Sequence, residues 1–199
     1  MNSVDHEYSL HEGRYSYLHI IQSSDVELMF TWLKNKLLFS YKPYLAYLCP
    51  TEQKLKEYII FKNEIDPPIE IECLILTKPN KQPIGLVSLQ SIDYYNKKAE
   101  LSFVVIQQGF YRLCFEVIWK AVSFSFNELH LEKLYFYVIG NNTRFLDSLK
   151  KRDWKPEAVL MKEILIDGQQ RVDVYRFSIF PEDLNMSFWK DIKRCIKVV

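Results

Sequence analysis

The stretch KKAELSFVVIQQGFYRLCFEV (residues 97–117) passes from an alternating apolar pattern into an amphipathic one, with a single glycine between the two. Alternation with a period of two predicts a strand, and apolar residues three and four apart predict a helix. A helix that starts directly after such a glycine has free backbone N–H groups, which can bind an anion such as phosphate. The turn at Gly109 therefore predicts either a phosphate-binding loop or a plain strand-to-helix turn.

The segments on either side extend this pattern into a sheet. Upstream, IEIECLILT (69–77) and PIGLVSLQSID (83–93) have strand composition, and short turns join them to each other and to AELSFVVI (99–106). Short turns predict antiparallel neighbours. Downstream, a helix over 112–128 leads to the strand EKLYFYVI (132–139), and a helical crossover makes two strands parallel.

The remaining segments complete the fold class. A first strand and two helices precede residue 69, and a short helix, a terminal hairpin and a last helix follow residue 140. This order predicts an α/β (α+β) fold with a mixed, mostly antiparallel, seven-stranded sheet. Helices lie on both of its faces, and one extra helix lies at the C-terminus.

Length and composition limit the organisation and the partners. The 199 residues suggest one domain over 15–180, after a flexible segment (1–14) and before an amphipathic helix (181–199) that packs on the domain. A net charge of +1 gives no reason to expect nucleic-acid binding. No stretch is long and apolar enough for a membrane span, and the polar N-terminus is not a signal peptide. The four cysteines lack the spacing of a metal site, so we expect no metal and a cytoplasmic protein.

Three stretches taken in order resemble the GNAT acyltransferase superfamily, and within it the RimJ/RimL-like N-acetyltransferases. They are PIGLVSLQSIDYYNKKAELSFVV (83–105), FNELHLEKLYFYV (126–138) and the C-terminal segment from NNTRF to DVYRFSI (141–179). The resemblance implies a GNAT-like fold and transfer of an acetyl or other acyl group from coenzyme A, with acetyl-CoA as the cofactor. The implied acceptor is an amine of a protein N-terminus, an amino sugar or a small molecule.

The phosphate loop departs from the pattern of that branch. The branch carries Q/R-x-x-G-x-G/A before the long helix, whereas Phe110 and Arg112 occupy the small positions here and Glu116 keeps the acidic position that follows. The loop is therefore degenerate. The resemblance implies that cofactor contacts come from this turn, from the preceding strand and from one asparagine: Phe103, Val104, Val105, Gln108, Gly109, Phe110, Tyr111, Arg112, Leu113 and Asn142. As alternatives, Arg112 lies in solvent and Asn142 only caps its own helix.

The resemblance also assigns the chemistry. Glu100 corresponds to the strand carboxylate that takes the proton of the amine, and burial would have to raise its pKa for that role. The alternative is that Glu100 is solvated or forms an ion pair with Lys97 or Lys98. The tyrosine that serves as general acid in the wider superfamily would fall at Leu149, so that role is vacant.

Acceptor contacts are expected from three tyrosines and one aspartate. Tyr41 and Tyr44 lie in the aromatic run LLFSYKPYLAYLCP (37–50), Tyr137 shares a strand face with Tyr135, and Asp173 either faces the acceptor or pairs with a nearby arginine. The last helix either packs on the domain or forms a homodimer contact. Two other functions stay open: a non-catalytic GNAT-like binding domain, and an acyltransferase that uses an acyl carrier protein thioester.

Overall fold

The computed structural model describes residues 13–35, 38, 42, 44–78, 80–106, 109–166, 168–186, 189–190 and 192, without the side chains of residues 111 and 112. The strands are β1 (Ser16–Ile20), β2 (Ile71–Thr77), β3 (Pro83–Asp93), β4 (Lys98–Val105), β5 (Lys133–Ile139), β6 (Ala158–Ile166) and β7 (Gln170–Ile179). The helices are α1 (Val26–Lys34), α2 (Leu45–Leu48), α3 (Glu52–Asn63), α4 (Tyr111–Asn127) and α5 (Thr143–Lys150).

In the described part of the chain, the seven strands form one sheet in the order β1-β2-β3-β4-β5-β7-β6. The pair β4 and β5 is parallel, and the other five neighbouring pairs are antiparallel. This confirms the predicted mixed, mostly antiparallel sheet. The parallel pair follows from the α4 crossover, because a helix that returns the chain to its starting end makes the two flanking strands run the same way.

Helices cover both faces of this sheet. On one face, the apolar side of α4 packs against residues of β2 and β3 such as Cys73, Ile75 and Val87. On the other face, α1 and α3 pack against Leu74 and Leu86. Alternation along each strand therefore sorts the two cores.

The junction between β4 and α4 depends on one glycine. Gly109 has φ +100°, a left-handed conformation that a residue with a Cβ adopts only at a cost. The helix then starts at Tyr111, one residue earlier than the sequence predicts, and its N-cap residue Phe110 makes no side-chain capping bond. The Phe110 side chain therefore accepts no hydrogen bond from the first backbone N–H groups of α4.

The C-terminal segment differs from the predicted helix at its beginning. Residues Pro181–Asn185 form a 3₁₀ helix, because the Asp183 carboxylate accepts the N–H of Phe180 at 2.8 Å and tightens this turn. Further on, Trp189 is buried among Trp119 and Trp154, with ring centroids 6.0 and 6.4 Å away. Residues 187–188, 191 and 193–199 lie outside the described residues. Among the described helices, none is long and apolar enough to cross a membrane.

Candidate active site

The strands β4 and β5 pair only at their beginnings. Three residue pairs connect them, from Lys98 with Lys133 to Glu100 with Tyr135, although β4 continues to Val105 and β5 to Ile139. Within the described residues the two strands diverge after Glu100. The result is a wedge between two parallel strands, which can accept an extended ligand.

The β4 side of this wedge presents backbone groups. The N–H of Ile106 donates to the carbonyl of Ile84 on β3 at 2.8 Å. Because successive residues of a strand point their backbone groups to opposite sides, the N–H and C=O groups of Phe103 and Val105 face away from β3, toward the wedge. The register with β3 is continuous from Glu100 to Val105, so β4 carries no bulge over these residues.

A cavity of about 470 Å³ lies at the start of α4. It is lined by Arg14, Tyr15, Thr77, Lys78, Gly109, Phe110 and Leu113. The first helical bond of α4 runs from the Cys114 N–H to the Phe110 carbonyl, 2.9 Å, so the amides of residues 111–113 have no acceptor within the helix. Cationic side chains and a helix N-terminus together favour an anionic ligand.

The structure brings together part of the predicted phosphate loop. Gly109, Phe110 and Leu113 line the cavity, and Phe110 also packs against the main core. Gln108 and the side chains of Tyr111 and Arg112 lie outside the described residues. The sequence reasoning missed Arg14, Thr77 and Lys78. Because Ser16 pairs with Thr77, the start of β1 and the end of β2 lie at the same end of the sheet. In the sequence, only the basic residues Arg14 and Lys78, which flank these two strands, indicated an anion site there.

Glu116, on the second turn of α4, holds the entry into β1. Its carboxylate accepts the backbone N–H groups of Arg14 (2.6 Å), Tyr15 (3.0 Å) and Ser16 (2.8 Å), and the Ser16 hydroxyl donates a further bond at 2.6 Å. Glu116 is 4% exposed, and a Cβ at Gly13 would lie 2.3 Å from its carboxylate oxygen. The carboxylate therefore fixes Arg14 beside the start of α4.

Glu100 lies on the sheet face that α1 and α3 share, at the point where β4 leaves β5. Its side chain is half-buried, and this burial raises its pKa, which the positive charges of Arg176 and Lys42 partly oppose. Lys97, one of the two expected ion-pair partners, binds Glu132 instead at 2.5 Å. A carboxylate with a raised pKa at this position is suited to accept a proton.

Two tyrosines of β5 and one arginine of β7 stand beside Glu100. Tyr135, the residue paired with Glu100, packs edge-on against Tyr137 with ring centroids 5.8 Å apart, as the shared strand face predicts. The guanidinium carbon of Arg176 lies 4.1 Å from the Tyr135 ring centre and 5.9 Å from that of Tyr137. Tyr44 is 46% exposed and interacts electrostatically with Glu100, whereas Tyr41 lies outside the described residues.

A network of buried charged side chains lies on the α3 side of the sheet face that carries Glu100. The Glu72 carboxylate forms an ion pair with Lys42 at 3.0 Å and accepts a hydrogen bond from Lys62 at 2.8 Å, and Lys42 also binds Glu70. Burial alone would raise the pKa of Glu72, but the two lysines outweigh it and lower the pKa. Burial would likewise lower the pKa of Lys42, but Glu72 and Glu70 raise it. Glu72 and Lys42 therefore stabilise each other in their charged forms.

The sequence from β1 to α5 identifies the family of this chain. Residues 17–152, from β1 to just beyond α5, match the Acetyltransferase (GNAT) domain family. The chain belongs to the GNAT acetyltransferases. As a GNAT acetyltransferase it uses acetyl-CoA to acetylate an amine.

Individual relatives of this GNAT chain are distant. Spermidine N(1)-acetyltransferase of Vibrio cholerae serotype O1 is 25% identical over 169 residues, which cover 81% of this chain and 91% of that protein. The dodecameric structure of spermidine N-acetyltransferase from Vibrio cholerae matches with a TM-score of 0.70 and 22% identity, over 85% of this chain and 96% of the other. The spermidine/spermine N-acetyltransferase of Vibrio cholerae with manganese ions matches with a TM-score of 0.67 and 21% identity, over 85% and 94%. These two structures show the common fold.

Two predicted site residues of the GNAT chain have structural partners. Asn142 caps α5, accepting the N–H of Phe145 at 3.4 Å. Asp173 accepts the N–H of Lys162 at 2.8 Å, and alternation along β7 places it on the sheet face opposite Arg176. This bond holds Asp173 in the β6–β7 hairpin, and a role of Asp173 toward the acceptor stays a prediction. Over the described residues, no group of three or more His, Cys, Asp or Glu side chains could hold a metal ion.

Proposed function

We propose that this GNAT enzyme acetylates the primary amine of a small molecule, with Glu100 as the residue that accepts the amine proton. The observation that carries the proposal is the position of Glu100. It is the last β4 residue paired with β5, so its carboxylate stands where the wedge opens. An amine bound against Tyr135 and Tyr137 would lie beside this carboxylate.

The residues that would hold acetyl-CoA fit its chemistry. The backbone groups of Phe103 and Val105 suit the amides of its extended arm, and the amides of residues 111–113, which have no acceptor within α4, suit its diphosphate. Arg14 and Lys78 in the adjoining cavity suit its phosphate charge. When bound, acetyl-CoA supplies the thioester carbonyl that the amine attacks. The first-turn amides and Gly109 thus replace the glycine-rich loop that the sequence lacks.

The base must remove a proton from an ammonium group, which has a pKa far above that of an ordinary carboxylate. Burial raises the pKa of Glu100 and so brings it closer to the pKa of the ammonium group. Proton transfer to Glu100 is therefore easier than proton transfer to a solvated glutamate. Leu149, at the position where a tyrosine acid would fall, is 3% exposed and apolar. The protein therefore offers no proton at that position for the departing sulfur.

The acceptor class follows from the relatives. The relatives named above are spermidine acetyltransferases, which favours a small amine over a protein N-terminus or an amino sugar. One of them is a dodecamer, which favours a homo-oligomer here as well. The finer resemblance to the RimJ/RimL-like branch and the cytoplasmic location stay predictions.

The test is a steady-state assay of coenzyme A release from acetyl-CoA with a panel of amines. We expect Glu100→Gln to lower kcat by about 10²- to 10⁴-fold, the range for loss of a general base. The melting temperature should still rise on addition of acetyl-CoA, because Glu100 does not hold the cofactor. The matched control is Glu163→Gln, an exposed residue of β6. Equal turnover in the two variants would remove Glu100 as the base. A protein that neither turns over nor shows an acetyl-CoA-dependent melting shift would instead be a non-catalytic binding domain.

A further inference from the structure

Arg176 has hydrogen-bonding capacity that its neighbours do not use. Its Nε lies 3.0 Å from the Glu157 carboxylate. This buried Nε nevertheless forms no hydrogen bond in the described part of the chain, so the guanidinium is held there by the ion pair alone. The guanidinium carbon lies 4.1 Å from the centre of the Tyr135 ring and the side chain is 27% exposed, so this positioned cation remains accessible to a ligand.

The charge of Arg176 is only partly balanced. The Glu157 carboxylate that it contacts also binds the Lys133 ammonium at 2.6 Å and accepts the Ser178 hydroxyl. One carboxylate thus serves two cations, and the remaining charge of Arg176 acts on Glu100 across the acceptor face.

Two other carboxylates of this sheet face already have cationic partners. Glu70 and Glu72 pair with Lys42 and Lys62 in the buried network. A substrate with several ammonium groups would therefore find Glu100 for one of them, and lysines or Arg176 close to the others. This arrangement disfavours a polycation.

We propose that Arg176 selects an acceptor that carries a carboxylate as well as its reactive amine. This inference rests on the proposed function and narrows its substrate class from small amines to amino acids and short peptides. The planar guanidinium matches a carboxylate with two parallel hydrogen bonds, while Tyr135 and Tyr137 support the carbon skeleton between the two charged ends. The amine end then lies toward Glu100, on the neighbouring row of the same sheet face.

The experiment compares amino acids and dipeptides with their C-terminal carboxamides, and includes spermidine as the polycationic acceptor. We expect the wild-type enzyme to prefer the free acid over the matching amide by about 10- to 100-fold in kcat/KM, the value of one or two charge-assisted hydrogen bonds. Arg176→Met should abolish this preference, mainly through KM. Arg176→Lys, which keeps the charge without the planar fork, should retain part of it.

The control is Arg171→Met on the same strand, where the guanidinium binds the Lys162 carbonyl at 3.1 Å. This variant should keep the wild-type preference, and melting temperatures verify that all variants fold. Higher kcat/KM with spermidine than with any free acid would overturn the inference and leave the proposed acetyltransferase intact. Release of coenzyme A with none of the amines would overturn the proposed function and this inference with it.

Discussion

Replacing Glu72 by glutamine removes the carboxylate that Lys42 and Lys62 share in the buried network. Lys42 is 1% exposed and Glu72 3%, so solvent cannot compensate the lost charge. Loss of one partner from a buried ion pair costs about 3–5 kcal/mol. Glu70 still binds Lys42 and lies 3.9 Å from Lys62, so we expect the lower value, about 3 kcal/mol. For a domain of this size that corresponds to a melting temperature lower by about 6–12 °C.

The assay is urea unfolding and calorimetry at pH 7, with Glu57→Gln as the control. Glu57 binds Lys54 at 2.8 Å, but both side chains are about half exposed, so solvent screens the pair and this substitution should leave the stability almost unchanged. The lowered pKa of Glu72 means that its carboxylate stabilises the fold above the ordinary glutamate range. The difference between wild type and Glu72→Gln should therefore shrink as the pH falls from about 4.3 through the lowered value. Equal stabilities of Glu72→Gln and Glu57→Gln at pH 7 would refute the reasoning.

Two further predictions concern the site. Because burial raises the pKa of Glu100 and the base must be ionised, kcat/KM should fall with decreasing pH through an apparent pKa above the ordinary glutamate value; a pH–rate profile that stays flat down to about pH 4.3 would contradict this. Gly109→Ala forces a Cβ into φ +100° and should cost about 1–2 kcal/mol while raising the KM for acetyl-CoA. Gly168→Ala, at φ +70° in the β6–β7 hairpin, should cost a similar amount of stability and leave that KM unchanged; equal KM values for the two variants would separate Gly109 from cofactor binding.

Local patterns predicted most of the fold. The alternation of residues 99–106, the glycine and the helical spacing after it are all contained in one short stretch, and they place β4, the turn and α4 within a residue or two. The parallel β4–β5 pair then follows from the crossover alone. The 3₁₀ turn at Pro181–Asn185 was not predicted, because the Asp183 bond that tightens it competes with an otherwise helical pattern.

The candidate site was only partly predictable, because its contacts join distant segments. Lys42 meets Glu72 thirty positions later in the chain, and no local period records such a pairing. Arg14 was assigned to a flexible tail, since nothing within its own stretch reveals the Glu116 carboxylate. The bond of Asp173 to the Lys162 N–H was likewise not predicted, because it joins two strands across a hairpin.

The bonds between Glu116 and the backbone of residues 14–16 span 100–102 positions of the chain. During synthesis, residues 14–16 leave the ribosome long before Glu116, whose carboxylate accepts their three N–H groups. Until residue 116 has left the exit tunnel, the entry into β1 has no partner for them, even after β2 and β3 have emerged. Completion of the first half of the sheet therefore waits for α4, and a nascent chain stalled before that point exposes an unfinished edge to chaperones and to other chains.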